Sequence, residues 1–500
     1  MPNTTGNKIA NATKWSTITE IMAKLVTPIS SMILARILAP EVFGVVASIN
    51  VIISFCDLFA DAGFQKYVIQ HELDAEAELD HISNVAFWTN FVISLIIWVI
   101  VAAFSKSLAN LVGCPGKELA VIVACANLTL HSFTSIQSAR LKRSMDFKTL
   151  FYVRVITIAV PFVVTVPLAF VTKSYWSIIL GTISMNASTA VAMFFLLKWI
   201  PKLEYSFKTL KTMLSFSLWS LLESILVWVI NWGDTFIVSQ ILTQYYLGLY
   251  KTSMNMVNQI LAVVSASMVP VLLSALSRVQ NNDKEFKSIY YKICFLSGIL
   301  LIPMGVGMFI YQDTLCNLLL GSAWAEAAVM MGIWGLISSV SILFNSYNGC
   351  VLIAKGKPKI SVFVQIAQIV AIIPAVYFSA NQGFVPLSYA RALVRIVGMV
   401  IYCTVVWKLY GISFVHLIKM LIPTICSVTI MGAFGFFFVK MGKGMLFNIG
   451  TIIICIVIYG IMMMVFPSTR ELFKEYLDLL RQKINPKKVN NNTETMDRLE

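Results

Sequence analysis

RILAPEVFGVVASINVIISFCDLFADAG, residues 36–63, is partly written a second time farther down the chain. Shifted by 204 positions, Ile37, Leu38, Gly44 and Ser48 fall on Ile241, Leu242, Gly248 and Thr252, and Trp15-Ser16 falls on Trp219-Ser220. A second echo, at a shift of 208, lays LVGCPGKELAV (111–121) on LLGSAWAEAAV (319–329), matching Leu111, Gly113, Glu118, Ala120 and Val121 to Leu319, Gly321, Glu326, Ala328 and Val329. Two matches at nearly one shift point to duplicated halves.

The composition says what those halves are made of. Of 500 residues, 58% are hydrophobic and 12% charged, and the mean hydropathy is +0.80. A soluble domain carries about a quarter charged residues, so the chain reads as an integral membrane protein. Its first 14 residues are polar and no cleavable signal pattern follows, so the first span is expected to stay in the mature chain. Nine cysteines without a C-x-x-C pair read as small buried hydrophobes, and no metal site is expected.

Apolar windows of about 20 residues suffice to cross the hydrocarbon core as helices. Punctuation by polar residues yields fourteen, near 15–38, 43–64, 82–104, 118–139, 151–171, 174–197, 213–239, 246–273, 289–311, 326–352, 360–379, 385–407, 415–439 and 446–466. The expected fold is all-α and integral to the membrane, with two pseudo-symmetric six-helix lobes and two C-terminal helices. Residues 1–197 form the N-lobe, 198–212 a linker, 213–407 the C-lobe and 408–466 the two additional spans. Loops and edges after even-numbered spans hold eighteen Lys and Arg, those after odd-numbered spans five. By the positive-inside rule the even loops and both termini are cytoplasmic. The net charge of +14 then reflects a basic face toward anionic membrane lipids, with no nucleic acid needed.

Two segments stand apart. HELDAEAELDH carries Glu72, Asp74, Glu76, Glu78 and Asp80 and reads as a solvated surface helix. STRELFKEYLDLLRQKI, from Ser468 to Ile484, puts Leu472, Phe473, Tyr476, Leu479 and Leu480 on one helical face; it reads as an interfacial helix (467–484 with its lead-in) ahead of a disordered tail, 485–500.

Ionisable groups at membrane depth are costly and point to function. Glu20 and Lys24 are one turn apart on the first span and can pair. Asp57 and Asp61 repeat that spacing on the second, where two carboxylates can share a proton or a cation. Glu223 and Asp234 lie in the seventh span, Lys251 in the eighth, Arg391 and Arg395 in the twelfth. Asp57, Asp61, Glu20, Glu223 and Asp234 are thus candidates for coupling to H⁺ or Na⁺, against structural pairing as the alternative. Near span ends, snorkelling explains Asp61, Arg36 and Lys251 equally well. Trp15, Trp176, Trp219 and Trp324, also near span ends, read as an interfacial belt. There is no nucleotide-binding G-x-x-x-x-G-K-[ST], no H-E-x-x-H, and no His pair at ligand spacing beyond His71 and His81, so neither an ATP-driven pump nor an enzyme is expected, and no cofactor.

ARILAPEVFGVVA, DAGFQKYVIQ, QSARLKRSMDFKTLFYVR, SYWSIILGTI, GDTFIVSQILTQYYLGLYKTSMNM and LLGSAWAEAA, in that order, closely resemble the polysaccharide transporter family of lipopolysaccharide and exopolysaccharide flippases. That family belongs to the multidrug/oligosaccharidyl-lipid/polysaccharide exporter superfamily, and the likeness covers about residues 10–410. Asp61 lies in the family's D-[LA]-G-F motif and Arg36 in its A-R-[LI]-L motif. The resemblance implies two six-helix lobes around a V-shaped cavity of alternating access. It also implies an undecaprenyl-diphosphate-type lipid-linked oligosaccharide as substrate, moved from the inner to the outer leaflet of a bacterial plasma membrane. Polysaccharide polymerase and glycosyltransferases are the implied partners. Rival readings are a multidrug or cation antiporter of the same fold, which calls for an acidic cavity, and a membrane glycosyltransferase or polymerase, which needs a longer loop for its chemistry than this chain offers.

A diphosphate crossing the bilayer needs fixed cations. Lys24 and Arg391 rank first for that role, Arg36 and Arg395 next, Lys251 last. The spacing of Arg391 and Arg395 puts two guanidinium groups on one helix face, able to chelate phosphate oxygens.

Overall fold

The polar punctuation that separates the apolar windows is where the chain turns. In the computed structural model, the described residues contain fourteen helices long and apolar enough to cross a membrane. The description covers residues 3–471 except 62, 71–75, 198, 443 and 468; the side chains of 3–13, 61, 76, 215–220, 222, 223 and 358 also lie outside it. The helices are α1 (Asn3–Ile37), α2 (Pro40–Asp61), α3 (Glu76–Ala103), α4 (Glu118–Arg143), α5 (Phe147–Thr172), α6 (Tyr175–Leu196), α7 (Phe207–Ile241), α8 (Gln244–Arg278), α9 (Asp283–Ile310), α10 (Ser322–Ala354), α11 (Pro358–Ala380), α12 (Phe384–Tyr410), α13 (Phe414–Met441) and α14 (Met445–Val465). Their limits follow the apolar windows, but α1 begins about a dozen residues earlier than expected and α3, α7 and α9 about six. Hydropathy marks where a helix meets lipid, whereas its backbone ladder continues into water; Ser206 caps α7 by accepting from the Thr209 N–H. Of the acidic run, Asp80 pairs with Arg140 at 2.7 Å, while 72, 74 and the side chain of 76 lie outside the described residues. So does the expected interfacial helix beyond Glu471.

Helices α1–α6 form one lobe and α7–α12 the other. Helix α13 packs on α9 and α14 on α13, and the Tyr459 hydroxyl of α14 also reaches α9, donating to the Ile299 carbonyl at 2.7 Å.

The lobes meet at the end of the bundle where α1 turns into α2 and α7 into α8. The contact there is reciprocal. A Cβ at Gly44 would overlap the Gln244 carbonyl oxygen, and a Cβ at Gly248 would overlap that of Pro40. Since 40 and 244, like 44 and 248, are one repeat shift apart, each lobe presents the other with the same surface. The second echo behaves alike: Gly113 (φ +68°) sits against the Ser239 carbonyl, and its counterpart Gly321 (φ +100°) sits against Arg36. Positive φ at both explains why both are glycine. Gln244 Nε2 donates to the Gly113 carbonyl (2.6 Å) and to Ser48 Oγ (3.1 Å), and Trp324 Nε1 donates to the Ala35 carbonyl (2.7 Å). Trp324 is fully buried against Phe43 and is a junction residue, contrary to the belt reading; its indole needed a partner away from lipid.

Helix α7 also runs along the N-lobe. Trp228 Nε1 donates to Ser54 Oγ on α2 at 2.9 Å, and Met213 is buried with Phe64, Tyr67 and Phe87.

The junction can be probed through Cys114, 2% exposed beside Gly113, whose thiol burial pushes up to about 11. Because the thiolate is the nucleophile, its alkylation near neutral pH should be slow. Gly248→Leu should part α2 from α8 and raise the Cys114 labelling rate at least severalfold, read by peptide mass spectrometry. An unchanged rate would mean the glycine contact does not hold the lobes together.

Candidate functional site

Charges in the C-lobe interior settle on one another. Arg391, on α12, is 5% exposed and its Nε lies 2.7 Å from Asp234 Oδ2 on α7. The same oxygen accepts from the Tyr250 hydroxyl at 3.0 Å. The other oxygen of Asp234 accepts the backbone N–H of Thr235 at 2.6 Å and its hydroxyl at 3.1 Å. Four hydrogen bonds leave this carboxylate with no lone pair for a cation. Arg391 in turn is spent on Asp234 and on the face of Trp334, 5.0 Å from its guanidinium carbon. Asp234, expected as a coupling-ion ligand, and Arg391, expected as a phosphate anchor, are thus paired with each other in this structure. Each neutralises the other because a lone charge at this depth is far more costly than a pair.

Arg395, one turn along α12, stacks closer on Trp334 (4.0 Å) and donates through Nη1 to Ser338 Oγ at 2.7 Å. Among the described residues it forms no ion pair of its own, since Asp234 is paired with Arg391. The pair is therefore no bidentate clamp. Lys251 donates to the Asn231 carbonyl (3.1 Å) and Thr235 Oγ1 (3.0 Å) beneath the Trp232 ring. Its charge is held between α7 and α8. Arg36 donates through Nη2 to the Leu318 carbonyl and so bridges the lobes at their junction.

Lys24 is half-buried on α1. It stands eleven residues before Ala35, within roughly 20° of the same helix face. Ala35 is buried at the lobe junction, where its carbonyl accepts from Trp324. The expected partner of Lys24 is not there: Glu20 is exposed, and among the described residues the two form no ion pair.

In the N-lobe, Asp57 on α2 faces His131 Nδ1 on α4 at 3.4 Å, both nearly half exposed. They line a polar cavity of about 320 Å³ with Gln65, Thr134, Lys142 and Thr189. The side chains of Asp61 and Glu223 lie outside the described residues. His131, Tyr250, Trp334 and Gln244 were missed from sequence. A single His on an apolar run and single aromatics carry no periodic signal, and each gains its role only from a helix far away in the chain.

A family model described as polysaccharide biosynthesis protein matches residues 33–329, more than half of the chain and a stretch that holds all four junction glycines. The chain belongs to that family. Within it, a Klebsiella pneumoniae relative named "Uncharacterized membrane protein in cps region" is 24% identical over 444 residues, 85% of this chain and 90% of its own. The lipopolysaccharide biosynthesis protein WzxC of Escherichia coli K12 is 22% identical over 419 residues, 81% of this chain and 82% of its own. The solved structure of the lipid II flippase MurJ in its inward closed conformation matches with a TM-score of 0.73 at 13% identity, covering 91% of this chain and 99% of that one. This polysaccharide biosynthesis protein thus shares the fold of that flippase.

Removing one partner of the buried pair should be severe. Asp234→Ala or Arg391→Ala should each cost roughly 3–5 kcal/mol, visible as a lower thermal midpoint of the detergent-purified protein. The Asp234→Leu, Arg391→Met double variant should recover most of that loss. Equal stability of either single variant and wild type would show that the pair is not closed in the membrane.

Proposed function

We propose that this protein is a flippase: it moves an oligosaccharide carried on a polyprenyl diphosphate of the undecaprenyl type from the inner to the outer leaflet of the bacterial plasma membrane, by alternating access between its lobes. The observation that carries this reading is the family membership, joined to a fold in which two repeat-related lobes meet through mirrored glycine contacts. The moving units are proposed as residues 1–197 and 213–407, with 408–466 riding on the second.

The distribution of Lys and Arg supports placing the basic end and both termini in the cytoplasm. A tag at Lys142 or Lys287 should then be protected from an external reagent, and one at Lys106 or Lys443 accessible. External labelling at Lys287 would invert the orientation.

With Arg391, Arg36 and Lys251 engaged elsewhere, Lys24 and Arg395 are the cations proposed to meet the diphosphate. Ion coupling, to H⁺ or Na⁺, is proposed at Asp57, whose partner is His131. In a host lacking its own flippase, Lys24→Glu should abolish surface polymer while the protein stays in the membrane at wild-type amount. Asp57→Asn should reduce it about tenfold or more, the range of one lost charge-assisted contact. Wild-type polymer from both variants would remove these residues from the transport path, and ion-driven export of a cationic dye without any complementation would favour the antiporter reading. The protein is proposed to do no covalent chemistry itself and to serve polymerase and glycosyltransferase partners that do.

A further inference from the structure

Helices α9 and α13 approach closely where Gly298 faces Leu421; a Cβ on Gly298 would lie 2.6 Å from the leucine Cδ2. Toward the basic end they diverge and leave a groove of about 700 Å³. Its mouth is ringed by Lys284 and Lys292 of α9 and by His416 and Lys419 of α13, and its floor is Phe295 and Met420. No acidic residue lines it. The acids at the start of α9 face elsewhere: Asp283 holds Lys355 at 2.7 Å, and Glu285 accepts from Asn282 at 3.1 Å. Among the described residues the three lysines meet no carboxylate.

One wall is braced. The Tyr291 hydroxyl accepts from the Ser413 N–H at 2.7 Å and its ring meets His416 edge-on at 4.7 Å. Beside the groove, α13 exposes Val415 and Ile422 and α9 exposes Leu300, so the flank is apolar where the mouth is cationic.

We propose that this groove binds an anionic phospholipid of the surrounding leaflet, its phosphate among Lys284, Lys292 and Lys419 and the first part of an acyl chain over Phe295 and Met420. Closure at Gly298 and Leu421 limits the depth to the headgroup and the upper chain, and the rest of the chain leaves along the exposed apolar flank. A free phosphate would satisfy the mouth but leave the floor wet, whereas a zwitterionic lipid would bring a second cation to three lysines. The site lies on the outer side of the C-lobe, away from the lobe junction, and does not depend on what the protein transports.

Native mass spectrometry of the purified full chain, titrated with phosphatidylglycerol and separately with phosphatidylcholine, tests this. Wild type should retain phosphatidylglycerol preferentially. Lys284→Gln, Lys292→Gln, Lys419→Gln together should weaken its retention by about a hundredfold, since the lipid phosphate loses all three fixed cations. The same change at Lys202, Lys208 and Lys211 should not. Met420→Trp, which fills the floor and keeps every charge, should also weaken retention and guards against misfolding of the triple variant. Glycerol phosphate without acyl chains should fail to displace the lipid. Equal retention of the two lipids by wild type, undiminished retention by both groove variants, equal loss in the control triple, or displacement by glycerol phosphate would each overturn the proposal.

Discussion

Helices α2 and α8 lie backbone to backbone because Gly44 and Gly248 have no Cβ, and the relation between the two lobes depends on that contact. Inside a bilayer, burying apolar surface gives helices no advantage over facing lipid, so close association relies on small residues and hydrogen bonds. Both are present here. The glycines bring the backbones together, and Gln244, Ser48 and the Trp324 indole supply the polar bonds across the seam. Because each half offers the same surface, the seam is self-complementary in the manner of a two-fold dimer interface.

The remainder of the lobe contact is not symmetric in its side chains. Trp228 of α7 reaches Ser54 on α2, but the position one repeat earlier on α1 is Lys24. An indole can bury its ring and spend its one N–H; an ammonium group cannot be buried without a partner. One first helix is therefore fastened across the gap at mid-depth, and its twin brings a charge to the same level.

Inside the lobes the repeats have diverged further. Asp234, Tyr250 and Lys251 correspond to Ser30, Val46 and Ala47, while Asp57 and His131 correspond to Leu261 and Ser339. Each lobe thus carries a charged feature that the other lacks: a closed ion pair beside an indole in the C-lobe, and a half-exposed acid–imidazole pair in the N-lobe. A closed buried pair contributes little net stability but makes one arrangement of α7, α8 and α12 much better than its neighbours. That suits a lobe moving as a rigid unit. The half-exposed pair is placed to exchange with water.

Helix number, order and approximate limits were legible in the sequence because hydropathy is additive along a segment and each span must by itself cross about 30 Å of hydrocarbon. The duplication was legible as well, and with it the identity of the four junction glycines, since a position that admits no Cβ leaves a residue type that can be matched directly. What the charged residues do was not. Sequence spacing paired Glu20 with Lys24 and Arg391 with Arg395, because neighbours one turn apart are the only partners visible along a chain. In the fold, Arg391 turns to Asp234, 157 positions away, Arg36 to the Leu318 carbonyl, and Asp57 to His131. The sequence by itself determined that these charges lie in the membrane and must be satisfied; which group satisfies each was decided only when packing brought distant helices side by side, since electrostatic cost is set by the nearest opposite charge in space and not by the nearest along the chain.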